Sequence, residues 1–90
     1  MSESIFDITE INAQFEPNRP DGIIAWVSLV LNRRLFLGGI AVRKDENGRV
    51  TITFPAKKRE DQSMYFFYKP INARCHEEIR DAIVRTLNLS

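Results

Sequence analysis

The segment Ile23–Leu31 is apolar on both faces of the strand that it predicts, and this constrains the fold more than any other feature. Successive side chains of a strand point to opposite faces of the sheet. One face carries Ile23, Ala25, Val27, Leu29 and Leu31, and the other carries Ile24, Trp26 and Val30. The run is far shorter than the roughly 20 apolar residues that a membrane-spanning helix needs. We therefore expect a central strand whose sheet needs apolar cover on both sides.

The rest of the sequence predicts more strands and then one helix. Further strands are expected at Ile8–Phe15, 34–43, 49–54 and 64–68, separated by turn-rich or charged loops at 16–22 and 55–63. The segment Ala73–Leu87 predicts a helix, with Asn72 as its N-cap. Its apolar stripe consists of Cys75, Ile79, Ala82, Ile83 and Leu87. This order is typical of an α+β fold with a mainly antiparallel sheet of about five strands and one C-terminal α-helix.

Short signals between these elements predict the turns. Asn32-Arg33 is short enough for a tight hairpin, and Asn47-Gly48 allows the positive φ of a hairpin loop. The pair Gly38-Gly39 inside the third strand predicts a bulge, a bend or the close approach of another backbone. Ninety residues form one domain, 1–90, in which we expect residues 1–7 to be flexible.

A single helix of about four turns covers only one face of a small sheet. The other face would then expose an apolar patch of a size that monomers rarely show. The simplest partner for such a patch is a second copy of the chain, so we expect a twofold homodimer. The alternative is a curled sheet that buries its own second face.

Signals for catalysis are weak. The only histidine, His76, adjoins the only cysteine, Cys75, and neighbours on a helix point about 100° apart, so this spacing forms no Cys–His pair. The chain offers too few ligands for a zinc site, and no carboxylate pair stands out as acid and base. We expect no enzyme activity, cofactor, metal or small-molecule substrate; an enzyme would need an unexpected pocket of converging polar groups.

The lone cysteine excludes an internal disulfide and fits a reducing compartment. The first ten residues lack the basic start and apolar run of a signal peptide. We therefore expect a cytoplasmic protein with no membrane partner.

Basic residues supply a candidate binding surface. Lys57, Lys58 and Arg59 lie in the predicted loop 55–63, and Arg74 and Arg80 lie on the predicted helix. Arg74 falls in the first helical turn, where free backbone N–H groups also favour a phosphate. These residues predict phosphate contacts to nucleic acid, although an ordinary solvated surface would look similar. The aromatic run 65–68 is either a stacking platform for single-stranded bases or part of the core and of an interface.

Short segments in a fixed order resemble the SpoVG (stage V sporulation protein G) family of bacteria. In the first half they are Ile8-Thr9-Glu10-Ile11-Asn12, Gly22, Ala25-Trp26-Val27-Ser28-Leu29-Val30-Leu31-Asn32, Phe36 and Ile40. In the second half they are Asn47-Gly48, Phe54-Pro55-Ala56-Lys57-Lys58-Arg59, Pro70-Ile71-Asn72 and the helix positions Arg74, Ile79, Asp81, Ala82 and Val84. The resemblance covers about residues 8–87. The chain departs from the family in the third strand, where Gly38-Gly39-Ile40-Ala41 replaces His-Asp-Ile-Arg.

The resemblance implies a compact, usually dimeric domain that binds DNA, and sometimes RNA, as a regulator of septation and sporulation. Carried over by position, its binding residues are Lys57, Lys58, Arg59 and Arg74. Our first hypothesis is therefore a homodimeric nucleic-acid-binding regulator. The alternative is a protein-interaction module that binds no nucleic acid and docks a partner on its sheet face or edges.

Overall fold

The structure of the protein, a computed structural model, describes residues 5–16 and 18–89. The elements run β1 (Ile8–Phe15), β2 (Ile23–Leu31), β3 (Leu35–Lys44), β4 (Val50–Thr53), β5 (Ala56–Lys58), β6 (Met64–Phe66) and α1 (Ala73–Leu87).

The fold is α+β, as the sequence predicts. Strands β1 to β4 form an antiparallel sheet in chain order, and β5 and β6 form a separate antiparallel hairpin. The predicted fifth strand is therefore not part of the main sheet. The predicted loop 55–63 is also wrong in part, because residues 56–58 form β5. The separation begins at Pro55, which has no N–H with which to continue a ladder.

The core lies between α1 and one face of the four-stranded sheet. That face is lined by alternate residues of the strands, and Ile79, Ala82 and Ile83 are the buried residues of the helix. Leu29, Ile40 and Ile83 are completely enclosed. The predicted helix and its cap are confirmed, because Asn72 Oδ1 accepts a hydrogen bond from the Cys75 N–H at 2.9 Å. At the other end Asn88 takes the left-handed conformation, with φ 56°, that commonly terminates helices.

The predicted bulge at Gly38-Gly39 is confirmed. Val27 pairs with Ile40, but Leu29 pairs with Leu37, so β3 has one more residue than β2 between these two pairs. Gly39 has a φ of +76°, which other residues rarely adopt. The Asn32-Arg33 turn also forms, with a positive φ at both residues, as a type I′ hairpin turn requires.

The helix also holds the residues that precede β1. The backbone N–H groups of Ile5 and Phe6 donate to the carboxylate of Glu78, at 3.1 and 2.9 Å. The Asp7 N–H donates to Asn32 Oδ1 at 2.9 Å. Of the segment 1–7 that the sequence predicts to be flexible, residues 1–4 lie outside the described residues, whereas residues 5–7 are hydrogen-bonded to the domain.

In the described residues, none of the helical structure is both long enough and apolar enough to span a bilayer.

Candidate nucleic-acid interface

The face of the main sheet that points away from α1 is partly covered by the β5–β6 hairpin. Trp26, Ala41 and Thr53 of the sheet and Ala56, Met64 and Phe66 of the hairpin line a cleft of about 510 Å³. Trp26 is half-buried there, with the Arg19 guanidinium 5.6 Å from the centre of its ring. The hairpin thus supplies within the chain part of the apolar cover that β2 demands.

The register of the hairpin sorts its side chains into two faces. Ala56 pairs with Phe66, Lys57 with Tyr65 and Lys58 with Met64. Since paired residues share a face and neighbours alternate, Ala56, Met64 and Phe66 lie on the inner face, which borders the cleft. Lys58 shares their register and is exposed, as are Met64 and Phe66, at 54% and 38%. We call the opposite surface, made of Lys57, Arg59, Tyr65 and Phe67, the outer face of the hairpin.

On the outer face, cations on β5 and its flank stand beside aromatic rings on β6 and its flank. The Arg59 guanidinium lies 5.0 Å from the centre of the Tyr65 ring, within cation–π range. Tyr65 and Phe67 contact each other edge to face, with ring centres 5.9 Å apart and planes at 77°. Tyr65 is 47% exposed and Phe67 is 62% exposed. Two solvent-facing rings beside two cations form a surface that suits a ligand with both π faces and negative charge.

The positive charge of the hairpin is not neutralised from within. In residues 5–16 and 18–89, Lys57, Lys58 and Arg59 form no ion pair. Asp61, two residues after Arg59, instead accepts hydrogen bonds from the N–H and hydroxyl of Ser63, at 3.0 and 2.6 Å. These bonds lower the pKa of Asp61 and hold its carboxylate in the turn. The three cations therefore remain available to an anionic ligand.

The hairpin is fastened to the main sheet at the β3 bulge. The Tyr68 hydroxyl donates a hydrogen bond of 2.6 Å to the Gly38 carbonyl. The Tyr68 ring also lies edge-on to Phe54, with ring centres 5.7 Å apart. Burial raises the pKa of Tyr68 to about 12, which keeps the hydroxyl protonated as a donor. The ladder between the two strands of the hairpin extends to Phe67, because the Pro55 carbonyl accepts a hydrogen bond from the Phe67 N–H at 3.0 Å.

The two helical arginines differ in their placement. Arg74 is exposed in the first turn of α1, next to Ala73, which lines a second cleft of about 390 Å³ together with Phe66 of the hairpin. Arg80 lies elsewhere: its Nε donates to the Val50 carbonyl at 2.8 Å and its Nη1 contacts the Asp81 carboxylate at 3.0 Å. The structure thus groups Lys57, Lys58 and Arg59 on the hairpin, leaves Arg74 exposed at the start of the helix, and uses Arg80 to join the helix to the β4 edge.

The scan against protein-family models finds no match, and the search of curated proteins finds no relative.

His76 lines a polar cleft of about 670 Å³ together with Asp45, Arg49, Glu77, Arg80 and Asp81. Cys75 is a half-buried free thiol, and the His76 ring lies edge-on to Phe54 at 5.7 Å. No group of three or more histidine, cysteine or carboxylate side chains that could hold a metal occurs in the described part of the chain.

Lys69 is a hairpin-associated cation that the sequence analysis missed. Its ammonium lies 5.0 Å from the centre of the Phe66 ring, and it lines the cleft beside the helix start. The sequence left the aromatic run as either a stacking platform or part of the core and of an interface, and the structure places Phe66 beside the cleft and Tyr65 and Phe67 on the outer face. The sequence does contain a signal for the hairpin, because a charged turn at 60–62 joins two short segments of strand-compatible length.

Proposed function

We propose that this protein binds nucleic acid, DNA and possibly RNA, through the hairpin cations, and that it acts as a homodimeric regulatory protein. The strongest support is the outer face, where the exposed rings of Tyr65 and Phe67 lie beside Lys57 and Arg59. Neither cation forms an ion pair among the described residues. Lys57, Lys58 and Arg59 would contact phosphates. Arg74 would add a phosphate contact from the exposed first turn of α1.

The resemblance to the SpoVG family supports the same proposal, since its segment Phe54-Pro55-Ala56-Lys57-Lys58-Arg59 coincides with β5 and its flanks. A role in bacterial septation or sporulation follows from that resemblance alone. The proposed location is the cytoplasm.

The proposed homodimer would use apolar side chains that remain exposed on the sheet. Leu35 and Phe36, at the turn end of β3, are 58% and 72% exposed. Phe36 pairs with Val30, which is only half-buried on the face turned away from α1. A twofold contact there would cover the part of this face that the hairpin leaves open.

A salt titration tests the binding. With about four phosphates contacted, the logarithm of the association constant should fall with the logarithm of the salt concentration at a slope of about −3 to −4. Fluorescence anisotropy of labelled oligonucleotide pools measures this slope. Replacing Lys57, Lys58 and Arg59 together by alanine should flatten it by about 2 to 3 and weaken binding to all sequences.

The matched control replaces Arg34, Lys44 and Arg49 by alanine. It removes the same charge from exposed positions outside the hairpin and should alter the slope much less. Light scattering of the protein with and without oligonucleotide reports the dimer in the same samples. A slope near zero, or no binding to any DNA or RNA pool at low salt, would refute nucleic-acid binding; a monomer mass at all concentrations would refute the dimer.

A further inference from the structure

The Tyr65 ring lies beside two cations, and the Phe67 ring contacts it edge to face. Lys57 stands directly across from Tyr65, and facing residues of paired strands have Cβ atoms about 5 Å apart. Arg59 covers the Tyr65 ring from the other direction along the strand. An apolar protein surface seated here would have to desolvate these charges without offering them a counter-charge, at a cost in free energy. A nucleic acid would meet the cations with phosphates and the rings with bases.

The chemistry of the outer face also separates paired from unpaired bases. A two-stranded ribbon fits the major groove of a duplex, but it reads base edges there through hydrogen-bonding side chains. On the outer face, two of the four side chains, Tyr65 and Phe67, are instead aromatic rings. A ring stacks on the π face of a base, and in an intact duplex that face is already covered by neighbouring bases. Bases are free to stack on side chains when the strand is single.

We infer that the ligand of the hairpin is a single strand, with unpaired bases stacked on Phe67 and on the Arg59–Tyr65 pair. This inference rests on the proposed function and specifies its ligand. Phe67 is the more exposed ring and takes one base. The guanidinium of Arg59 is planar and extends the aromatic surface of Tyr65 for a second base. Lys57, which lies directly across from Tyr65, takes a phosphate of the same strand.

The test compares a fluorescent 20-nucleotide oligothymidylate and oligouridylate, which remain unpaired, with a 20-base-pair duplex at the same low salt. The wild-type protein should prefer both single strands. Phe67→Leu and Tyr65→Leu keep apolar bulk but remove the π face. Each should weaken single-strand binding about 10-fold, within the range measured for loss of one stacked base. Duplex binding should change less than about 2-fold, because the phosphate contacts remain.

Two further variants make the result specific to stacking. Phe67→Trp retains a ring, so it should keep wild-type affinity, and the fluorescence of the new indole should fall when the single strand binds. Phe15→Leu makes the same chemical change at an exposed ring of β1 on the main sheet and should leave affinity unchanged. Circular dichroism melting of each variant verifies that the fold is intact.

The outcomes distinguish this inference from the proposed function. Equal affinity for single strand and duplex, or unchanged binding by Phe67→Leu and Tyr65→Leu, overturns the single-strand inference; if the triple alanine variant still loses binding, nucleic-acid binding itself stands. The single-strand inference would also be overturned if Phe67→Trp lost as much affinity as Phe67→Leu, because the retained ring would then have no effect. If no nucleic acid binds at low salt, the proposed function fails first.

Discussion

The Tyr68 hydroxyl offers a sharp test of how the hairpin is held, because a single oxygen atom is removed by Tyr68→Phe. The hydroxyl donates to the Gly38 carbonyl at 2.6 Å and is the polar link between the segment after β6 and the β3 bulge. Phenylalanine would preserve the edge-on contact with Phe54. The variant therefore isolates the hydrogen bond from the packing of the ring.

The magnitude follows from what replaces the bond. A neutral hydrogen bond contributes about 0.5–1.5 kcal/mol net, and a fully buried orphan acceptor would add more. Gly38 and Tyr68 are both half-buried, so water reaches the freed carbonyl in part. We expect Tyr68→Phe to lower the free energy of unfolding by about 1 kcal/mol at neutral pH, which is roughly 4–8 °C in Tm for a domain of this size.

The pH dependence gives an independent signature. Burial raises the pKa of Tyr68 from 10.0 to about 12, so in the pH range between these values the phenol ionises in the unfolded chain but not in the folded one. Its contribution to stability is complete below about pH 10 and is lost as the pH rises through 12. Tyr68→Phe lacks the ionisable group, so the stability difference between wild type and variant should shrink across this window.

Chemical denaturation from pH 7 to 12, followed by circular dichroism, measures both effects. Tyr65→Phe is the matched control, since it removes the same hydroxyl from an exposed ring on the same hairpin. The control should be nearly as stable as the wild type at pH 7 and should lose stability with it at high pH. Parallel curves for wild type and Tyr68→Phe from pH 9 to 12 would refute the reasoning.

Two more predictions concern contacts outside the hairpin. Arg80→Ala removes a charged hydrogen bond to the Val50 carbonyl, so it should lower the free energy of unfolding by about 1.5 kcal/mol in thermal melting and leave the salt slope of binding unchanged. The control, Arg85→Ala, at an exposed position near the helix end, should cost less. A smaller salt slope with an unaltered Tm in Arg80→Ala would contradict the structural role. Arg19 lowers the pKa of Asp21 to about 2, so wild-type stability should fall as the pH drops from about 4 to 2. In urea unfolding, the free energy of unfolding of Arg19→Gln should be lower than that of the wild type at pH 7 and should depend less on pH between about 4 and 2. An acid profile identical to that of the wild type would refute this role of Arg19.

The features that the sequence predicted correctly are those governed by local chemistry. The continuous apolar run Ile23–Leu31 defines β2, and the stripe through Ile79 and Ile83 defines the core face of α1. Asn72 caps the helix by a bond to a residue three positions away, which sequence spacing alone reveals. Gly39 marks the bulge because its positive φ limits the residues that fit there.

The features that could not be predicted depend on contacts between distant segments. Lysine has low strand propensity, so β5 reads as a loop until residues 56–58 meet their partners in β6. The turn between them places a glutamine, Gln62, at a φ of 75°, where the sequence signal would be glycine. From the sequence, Arg80 is grouped with the candidate phosphate contacts, because its hydrogen-bond acceptor, the Val50 carbonyl, lies thirty residues away in the chain.

The glycine pair of β3 is where the hairpin is attached to the main sheet. Pro55, at the start of the hairpin, lies against Gly39, where an added Cβ would be 3.5 Å from the proline ring and would require a strained φ of +76°. Tyr68, just after β6, donates a hydrogen bond to the carbonyl of Gly38. A side chain at Gly38 would crowd the Phe36 ring, which lies 3.1 Å from an added Cβ. Side chains larger than hydrogen at these two positions would therefore strain β3 at the place where the hairpin meets it.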